Sequence, residues 1–230
     1  MIVSVHQPQY IPWLGFFDKI AKSDCFVFLD NVQYKEREFQ NRNKIRTSNG
    51  VIWLSVPVIT KDKARQRIKE VLIDNTQPWQ RKHWNALVSA YGKAKFFRQY
   101  SSFFENVYKT QWQYLWQLNV EIIKYILHCL NINTVIKFES ELNTTTTKTA
   151  RIIEICKKLA ADTYLSGAGG KDYLEEELFS QNQIKLIYQE YKHPHYRQMF
   201  MKNEDDFIAN LSVIDLLFNE GPRSKDILLG

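Results

Sequence analysis

Three polar clusters in this chain carry side chains able to do proton, anion or hydroxyl chemistry. The first is His6-Gln7-Pro8-Gln9-Tyr10. Imidazole titrates nearest to neutrality, so His6 is a candidate base. Gln7, Gln9 and Tyr10 can read hydroxyls, and Pro8 and Pro12 stiffen the loop that carries them. The second is Asp30-Asn31-Val32-Gln33-Tyr34, again a polar cluster, in which Asp30 can orient an imidazole and Gln33 and Tyr34 can form hydrogen bonds. A donor-dense stretch follows, with Asn41 and Arg42 suited to phosphate or to a solvated face; both readings stand. The third is Ser166-Gly167-Ala168-Gly169-Gly170-Lys171, whose backbone amides and lysine could hold an anion. It matches neither a P-loop nor a GxGxxG pattern.

These clusters fall where strands end. Ile2–Val5 is a short apolar run, Gly15–Ala21 begins a helical stripe, and Cys25–Leu29 is a second apolar run. Strand, helix and strand within roughly thirty residues make a βαβ unit, whose parallel strands share one carboxyl edge. That places His6 and Asp30 on the same edge, where open α/β sheets bind ligands. Further strands are expected at Val51–Val58 (buried), Arg67–Ile73, Val135–Phe138, Thr163–Leu165 and Ile184–Tyr188. Helices are expected at Trp79–Tyr91, along the long pattern Phe103–Leu130, at Lys148–Ala160 capped by one of Thr144–Thr147, and at Leu211–Phe218, which stops at Gly221-Pro222. His83 reads as a surface or capping residue. His193 and His195 read as polar contacts, and no metal ligand set is assigned.

The expected fold is a single α/β domain over 1–230, with a mostly parallel sheet flanked by helices and a helical region at about 79–130. The net charge of +6 favours phosphate-bearing partners, yet no Lys/Arg run suggests a DNA-binding tail, and basic Lys61–Lys69 reads as a solvated loop. Cys25, Cys129 and Cys156 stand singly, as core thiols of a reducing compartment do. With no apolar run of spanning length and no leader pattern, a cytoplasmic location is expected.

The motifs His6–Tyr10 with Pro12-Trp13-Leu14-Gly15-Phe16-Phe17-Asp18-Lys19-Ile20, Asp30–Tyr34, Asn41-Arg42-Asn43, Tyr164–Gly167, Tyr196-Arg197-Gln198 and Leu211–Asn219 together resemble the WbqC-like family. The resemblance implies a place among O-antigen and other surface-polysaccharide proteins, and glycine (aminoacyl) transfer onto an amino sugar. A fainter similarity links Trp13–Phe16 and Phe28–Tyr34 to the HxGH-to-second-strand portion of pantothenate synthetase and related nucleotidyltransferases, implying a nucleotidyltransferase-like (HUP-like) open sheet. Both signature histidines are replaced, by Trp13 and Phe16.

The resulting expectation is an enzyme that forms an amide on a nucleotide-linked amino sugar. His6 and Asp30 are its catalytic pair. Asn41, Arg42, Ser166, Gly167 and Lys171 contact phosphates, and Gln7, Gln9, Tyr10, Gln33, Tyr34, Tyr196 and Gln198 complete the substrate site. The acyl donor is glycine or another amino acid, activated by ATP with Mg2+, as an aminoacyl-tRNA, or on another carrier; the cofactor stays open. The alternative is a non-catalytic sugar-nucleotide-binding or assembly protein with a degenerate nucleotidyltransferase-like site.

Overall fold

A computed structural model describes residues 1–60 and 65–230; Lys61 and Lys63 of the basic segment lie outside the described residues. In chain order the elements are β1 (Ile2–His6), α1 (Leu14–Ala21), β2 (Cys25–Phe28), β3 (Arg42–Thr47), β4 (Gly50–Ser55), α2 (Trp79–Tyr91), α3 (Phe97–Lys109), α4 (Leu115–Cys129), β5 (Val135–Phe138), α5 (Glu139–Leu142), α6 (Lys148–Lys158), β6 (Thr163–Ser166), α7 (Glu176–Gln181), β7 (Lys185–Tyr188), α8 (Val213–Glu220) and α9 (Ser224–Leu229). They form two compact units. The first comprises Met1–Pro8, Gly15–Val32 and Ile132–Lys192; the second comprises Gln9–Leu14, Gln33–Asn131 and His193–Gly230.

The first unit holds a five-stranded parallel sheet in the order β5-β2-β1-β6-β7. Each crossover carries at least one helix, as parallel strands require. Residue alternation sorts the strands into two faces. Val3, Val5, Cys25 and Val27 pack with Ile152, Ile155 and Cys156 of α6 and Phe179 of α7. The opposite face is aromatic: Phe26 meets Phe16 at 5.6 Å and Phe28 at 5.2 Å, and Phe28 meets Phe138 at 5.6 Å. His6 falls on this second face, its ring edge-on to Phe16 at 5.3 Å.

The second unit pairs β3 with β4 as an antiparallel hairpin, alongside α2, α3, α4, α8 and α9. Phe218 of α8 is its aromatic hub, meeting Tyr91, Phe97 and Phe104 at 5.2, 5.1 and 5.6 Å. Gly221 ends α8 at φ +57°, and a Cβ there would collide with the Phe96 ring, so the stop at Gly221-Pro222 is both conformational and steric.

Several expectations are corrected here. The strand expected at Val51–Val58 is not buried along its length: in the hairpin strand β4, Val51, Ile52 and Trp53 are exposed and Leu54 alone is buried. Arg67–Ile73 is a 3-10 turn at Ile68–Glu70 flanked by isolated bridges, Val58 to Ile73 and Leu72 to Tyr114. That pairing also breaks the long helix expected over Phe103–Leu130. Leu115 N donates to Val71 O and Ile73 N to Gln113 O, which draws the backbone at 113–115 out of helical bonding and separates α3 from α4. Thr147 occupies the cap position of α6 with no side-chain cap bond. The Glu154 carboxylate instead gathers Thr145 N, Thr146 N and Thr146 Oγ1.

Candidate functional site

The carboxyl edge of the parallel sheet is the candidate site, and ladder register explains its shape. β1 pairs with β2 through four residues, up to His6 with Phe28. With β6 it pairs only at Ile2–Thr163 and Val3–Tyr164. Beyond Val3 the two central strands part. In the sheet's own strand sequence the order is 3-2-1-4-5, so this parting falls at the topological switch point, where doubly wound sheets form their ligand crevice.

Backbone polarity shows which group is left over. His6 O accepts from Leu29 N on the β2 side, so the Val5 carbonyl faces β6. Thr163 N donates to Met1 O, and continued pairing in steps of two would bring Gly167 N to Val5 O. The strands have separated by then, and Lys19 Nζ takes the carbonyl at 3.1 Å. Lys19 projects from α1, is 4% exposed, and lies 3.8 Å from where a Gly167 side chain would begin. Burial lowers its pKa from 10.5 to about 7. Among the described residues no carboxylate lies within 4.0 Å of it. Its neighbour Asp18 is held by Lys22 at 2.8 Å and by Gln189 Nε2 at 2.6 Å.

His6 sits beside this amine. Its Nδ1 lies 3.0 Å from Gln7 O. A carbonyl only accepts, so Nδ1 carries the proton and Nε2 bears the lone pair. Burial first, and the Lys19 charge second, push its pKa down to about 3. The imidazole is therefore neutral at physiological pH, an acceptor through Nε2. Ser166 ends β6 buried, its Oγ donating to Gly167 O at 3.0 Å. A Cβ on Gly170 would collide with that Oγ, so the glycine lets the turn fold over Ser166.

The structure thus brings His6 and Gly167 to Lys19, with the Gln7 carbonyl bonded to the imidazole and the Ser166 hydroxyl bonded to the Gly167 carbonyl. Lys19 was not singled out in sequence. Its signal was its position: Phe16, Lys19, Ile20 and Ser23 share one helical stripe, and a lysine on a buried stripe calls for an explanation. Asp30 is buried on the same sheet edge, but Ser140 N and Ser140 Oγ occupy its two oxygens at 2.9 and 2.6 Å. The imidazole is oriented by the Gln7 carbonyl, and Asp30 ties the end of β2 to α5. Lys171 is exposed and lies over the Tyr188 ring at 5.3 Å.

The remaining candidates belong to the second unit, where most of their polar atoms serve its core. Tyr10 is fully buried, its hydroxyl 2.8 Å from His83 Nδ1 and 2.6 Å from Tyr108 Oη. His83 also bonds the Ser55 backbone, and Tyr108, Tyr10 and His83 form one hydrogen-bonded chain. His83 is thus buried in a polar relay, not a surface residue. Gln9 is buried with Oε1 unpartnered among the described residues. Tyr34 is buried, its hydroxyl pushed up to about 12 chiefly by burial. Gln33 is exposed and bridges to Arg67 through its backbone. Asn41 Nδ2 bonds Val56 O at 2.9 Å, and Arg42 stacks over Trp53 at 4.5 Å while bonding the Arg37 carbonyl. Tyr196 and Gln198 join a buried network: Tyr196 donates to Asp215 at 2.9 Å, and Gln198 Oε1 accepts from Arg46 at 2.9 Å. A cleft of about 480 Å³ in this unit is lined by Lys95, Arg197, Gln198, Met201, Glu220 and Arg223.

The loop after His6 contains a strained residue. Ile11 is β-branched, precedes a proline, and has φ +37°. Asn43, fully buried on β3, donates Nδ2 to Ile11 O at 2.8 Å and to Tyr10 O at 3.3 Å. Asn43→Ala is expected to cost about 2–4 kcal/mol, because two buried carbonyls lose a donor and the strained turn loses its clamp. Urea unfolding measures it; a loss under about 0.5 kcal/mol, ordinary for a surface substitution, would show that the clamp carries no load.

Comparison with known proteins covers nearly the whole chain. The family model of the WbqC-like protein family matches residues 7–227. An uncharacterized protein of Mycobacterium tuberculosis, Rv1507c, is 35% identical over 228 residues, which are 98% of this chain and 96% of that protein. No solved structure matches the chain.

Proposed function

Since this chain belongs to the WbqC-like protein family, we propose that it serves surface-polysaccharide (O-antigen) biosynthesis by N-acylating the amine of a nucleotide-linked amino sugar with glycine or another amino acid. The observation that carries the reading is the parted carboxyl edge of β1 and β6, with an imidazole lone pair and a buried amine side by side. In the reaction the sugar amine attacks an activated acyl carbon. The C–N bond forms, the bond to the leaving oxygen breaks, and the amine proton must depart.

His6 Nε2, which carries the ring's lone pair, is the acceptor for an N–H hydrogen bond from that amine in this reading. With a pKa near 3 it aims the lone pair at the carbonyl and passes the proton on to the leaving oxygen or to water. ATP with Mg2+ and an aminoacyl-tRNA are both admissible sources of acyl activation, and Trp13 and Phe16 in place of the nucleotidyltransferase histidines weigh toward an acyl group activated beforehand. The second reading is a sugar-nucleotide-binding protein without turnover. The low basicity of His6 is the observation in its favour.

The test is product detection by mass spectrometry after incubation with UDP- and dTDP-linked amino sugars, glycine and either ATP or glycyl-tRNA. The expected result is an amide on one nucleotide sugar, with His6→Ala lowering kcat about 10²- to 10⁴-fold and ligand affinity little. Tight nucleotide-sugar binding with no product from any donor would leave the binding-protein reading standing alone.

A further inference from the structure

Among the described residues, the buried Lys19 ammonium has two donors without an acceptor. Its Nζ spends one N–H on Val5 O. An ammonium has three. The ring of Phe26 lies 5.9 Å from Nζ, and a Cβ built on Gly167 would lie 3.8 Å from it. The charged and titratable groups nearby are His6 at the end of β1, Asp18 and Lys22 on the lysine's own helix, and Tyr191 beyond β7. Asp18 is committed to Lys22 and Gln189, and Tyr191 is shifted upward by burial and by Asp18. A lysine sunk at a sheet edge without a counter-charge costs folding energy and contributes no ion pair in return. Such a group is explained if its counter-charge arrives with a ligand.

We propose that Lys19 is the docking point for a phosphate oxygen of the ligand, seated in the gap where β1 and β6 part and against the side-chain-free backbone of Gly167. The glycine is part of the argument, because any side chain there would start 3.8 Å from Nζ and cover it. The choice of phosphate rests on the nucleotide-linked substrate proposed above, whereas the ammonium–oxyanion contact stands without it.

Binding then has a signature apart from catalysis. With its pKa near 7, Lys19 is largely neutral at pH 8 in the free protein, and an oxyanion against it restores the ammonium. Isothermal titration with inorganic phosphate, pyrophosphate and UDP, in two buffers of different ionisation enthalpy at pH 8, should show uptake approaching one proton per anion bound. Lys19→Met should weaken binding at least tenfold and abolish the uptake. Lys19→Arg, always charged, should bind without taking up a proton. Unchanged affinity in Lys19→Met, or binding by wild type without uptake, would overturn the proposal. So would acetate and glycine binding at Lys19 in preference to the phosphates, which would make the ligand group a carboxylate. Lys19-dependent phosphate binding in a protein that makes no amide would retain the site and refute only the acyl-transfer reading.

Discussion

Lys19→Met is expected to make the unliganded protein more stable at pH 7, by about 3 kcal/mol, and to lose that advantage as the pH rises. The sign follows from linkage. Lys19 titrates near 10.5 unfolded and about 7 folded, so between those values the unfolded chain holds a proton that the native chain has released. Wild-type stability must therefore rise with pH across that window, and the full penalty of roughly 4–5 kcal/mol persists at and below neutrality. The lost bond to Val5 O returns roughly 1 kcal/mol of it, which gives the net figure. Above pH 9 the buried thiols Cys25 and Cys156, both shifted upward, and then the buried tyrosines pull the other way. Urea unfolding of both proteins from pH 6.5 to 9 follows the lysine; His6, whose pKa the Lys19 charge also lowers, responds to the substitution as well. A variant less stable than wild type at pH 7 would make Lys19 a structural residue.

Asp215→Ala should have the opposite effect and a similar size, a loss of about 3–5 kcal/mol. Asp215 is fully buried on α8 and receives Tyr91 at 2.8 Å and Tyr196 at 2.9 Å. Gln198 and Arg46 complete the network, and Arg46 also reaches the Asp206 carbonyl at 2.5 Å. Truncation leaves two buried hydroxyls without their acceptor and removes the negative charge that faces Arg46. Burial raises the carboxyl to about 6, against tyrosine, glutamine and arginine contacts that lower it. Because the folded value lies above the unfolded 3.8, the contribution of Asp215 is full below pH 3.8 and declines as the pH rises toward 6. Asp215→Asn should cost less and remove that slope. A change within about 0.5 kcal/mol for the alanine variant would mean that the network relaxes onto other acceptors.

Sequence reading recovered the βαβ start, the parallel sheet and the edge on which His6 sits, because short apolar runs ending in polar residues report strand ends directly. The helix stop at Gly221 was equally legible, since one residue sets it. The exposed β4 was not, because an apolar hairpin strand and a buried strand have the same composition, and only its pairing with β3 tells them apart. The break between α3 and α4 depends on bonds to residues 71–73, far away in sequence. Among the candidate site residues the same ambiguity decides the outcome. Tyr10, Tyr196 and Gln198 make bonds inside the second unit and Asn41 makes a half-buried one, and hydrogen-bonding side chains look alike whether their partner is a substrate or a backbone carbonyl. Lys19 was passed over because a charged residue within a motif reads as solvated until its burial is known.

The truncated ladder between β1 and β6 also bears on how the sheet is assembled. β1 and β2 are joined by one short helix and find each other by local search, whereas β1 and β6 meet only after nearly the whole chain between them has been ordered or looped out, an entropic delay that lengthens with the intervening chain. Few backbone bonds reward that closure, so the last seam of the sheet to form is also its least cross-linked. The place where folding finishes is then the place where the chain is easiest to reopen, and reversible entry of a ligand needs that same property.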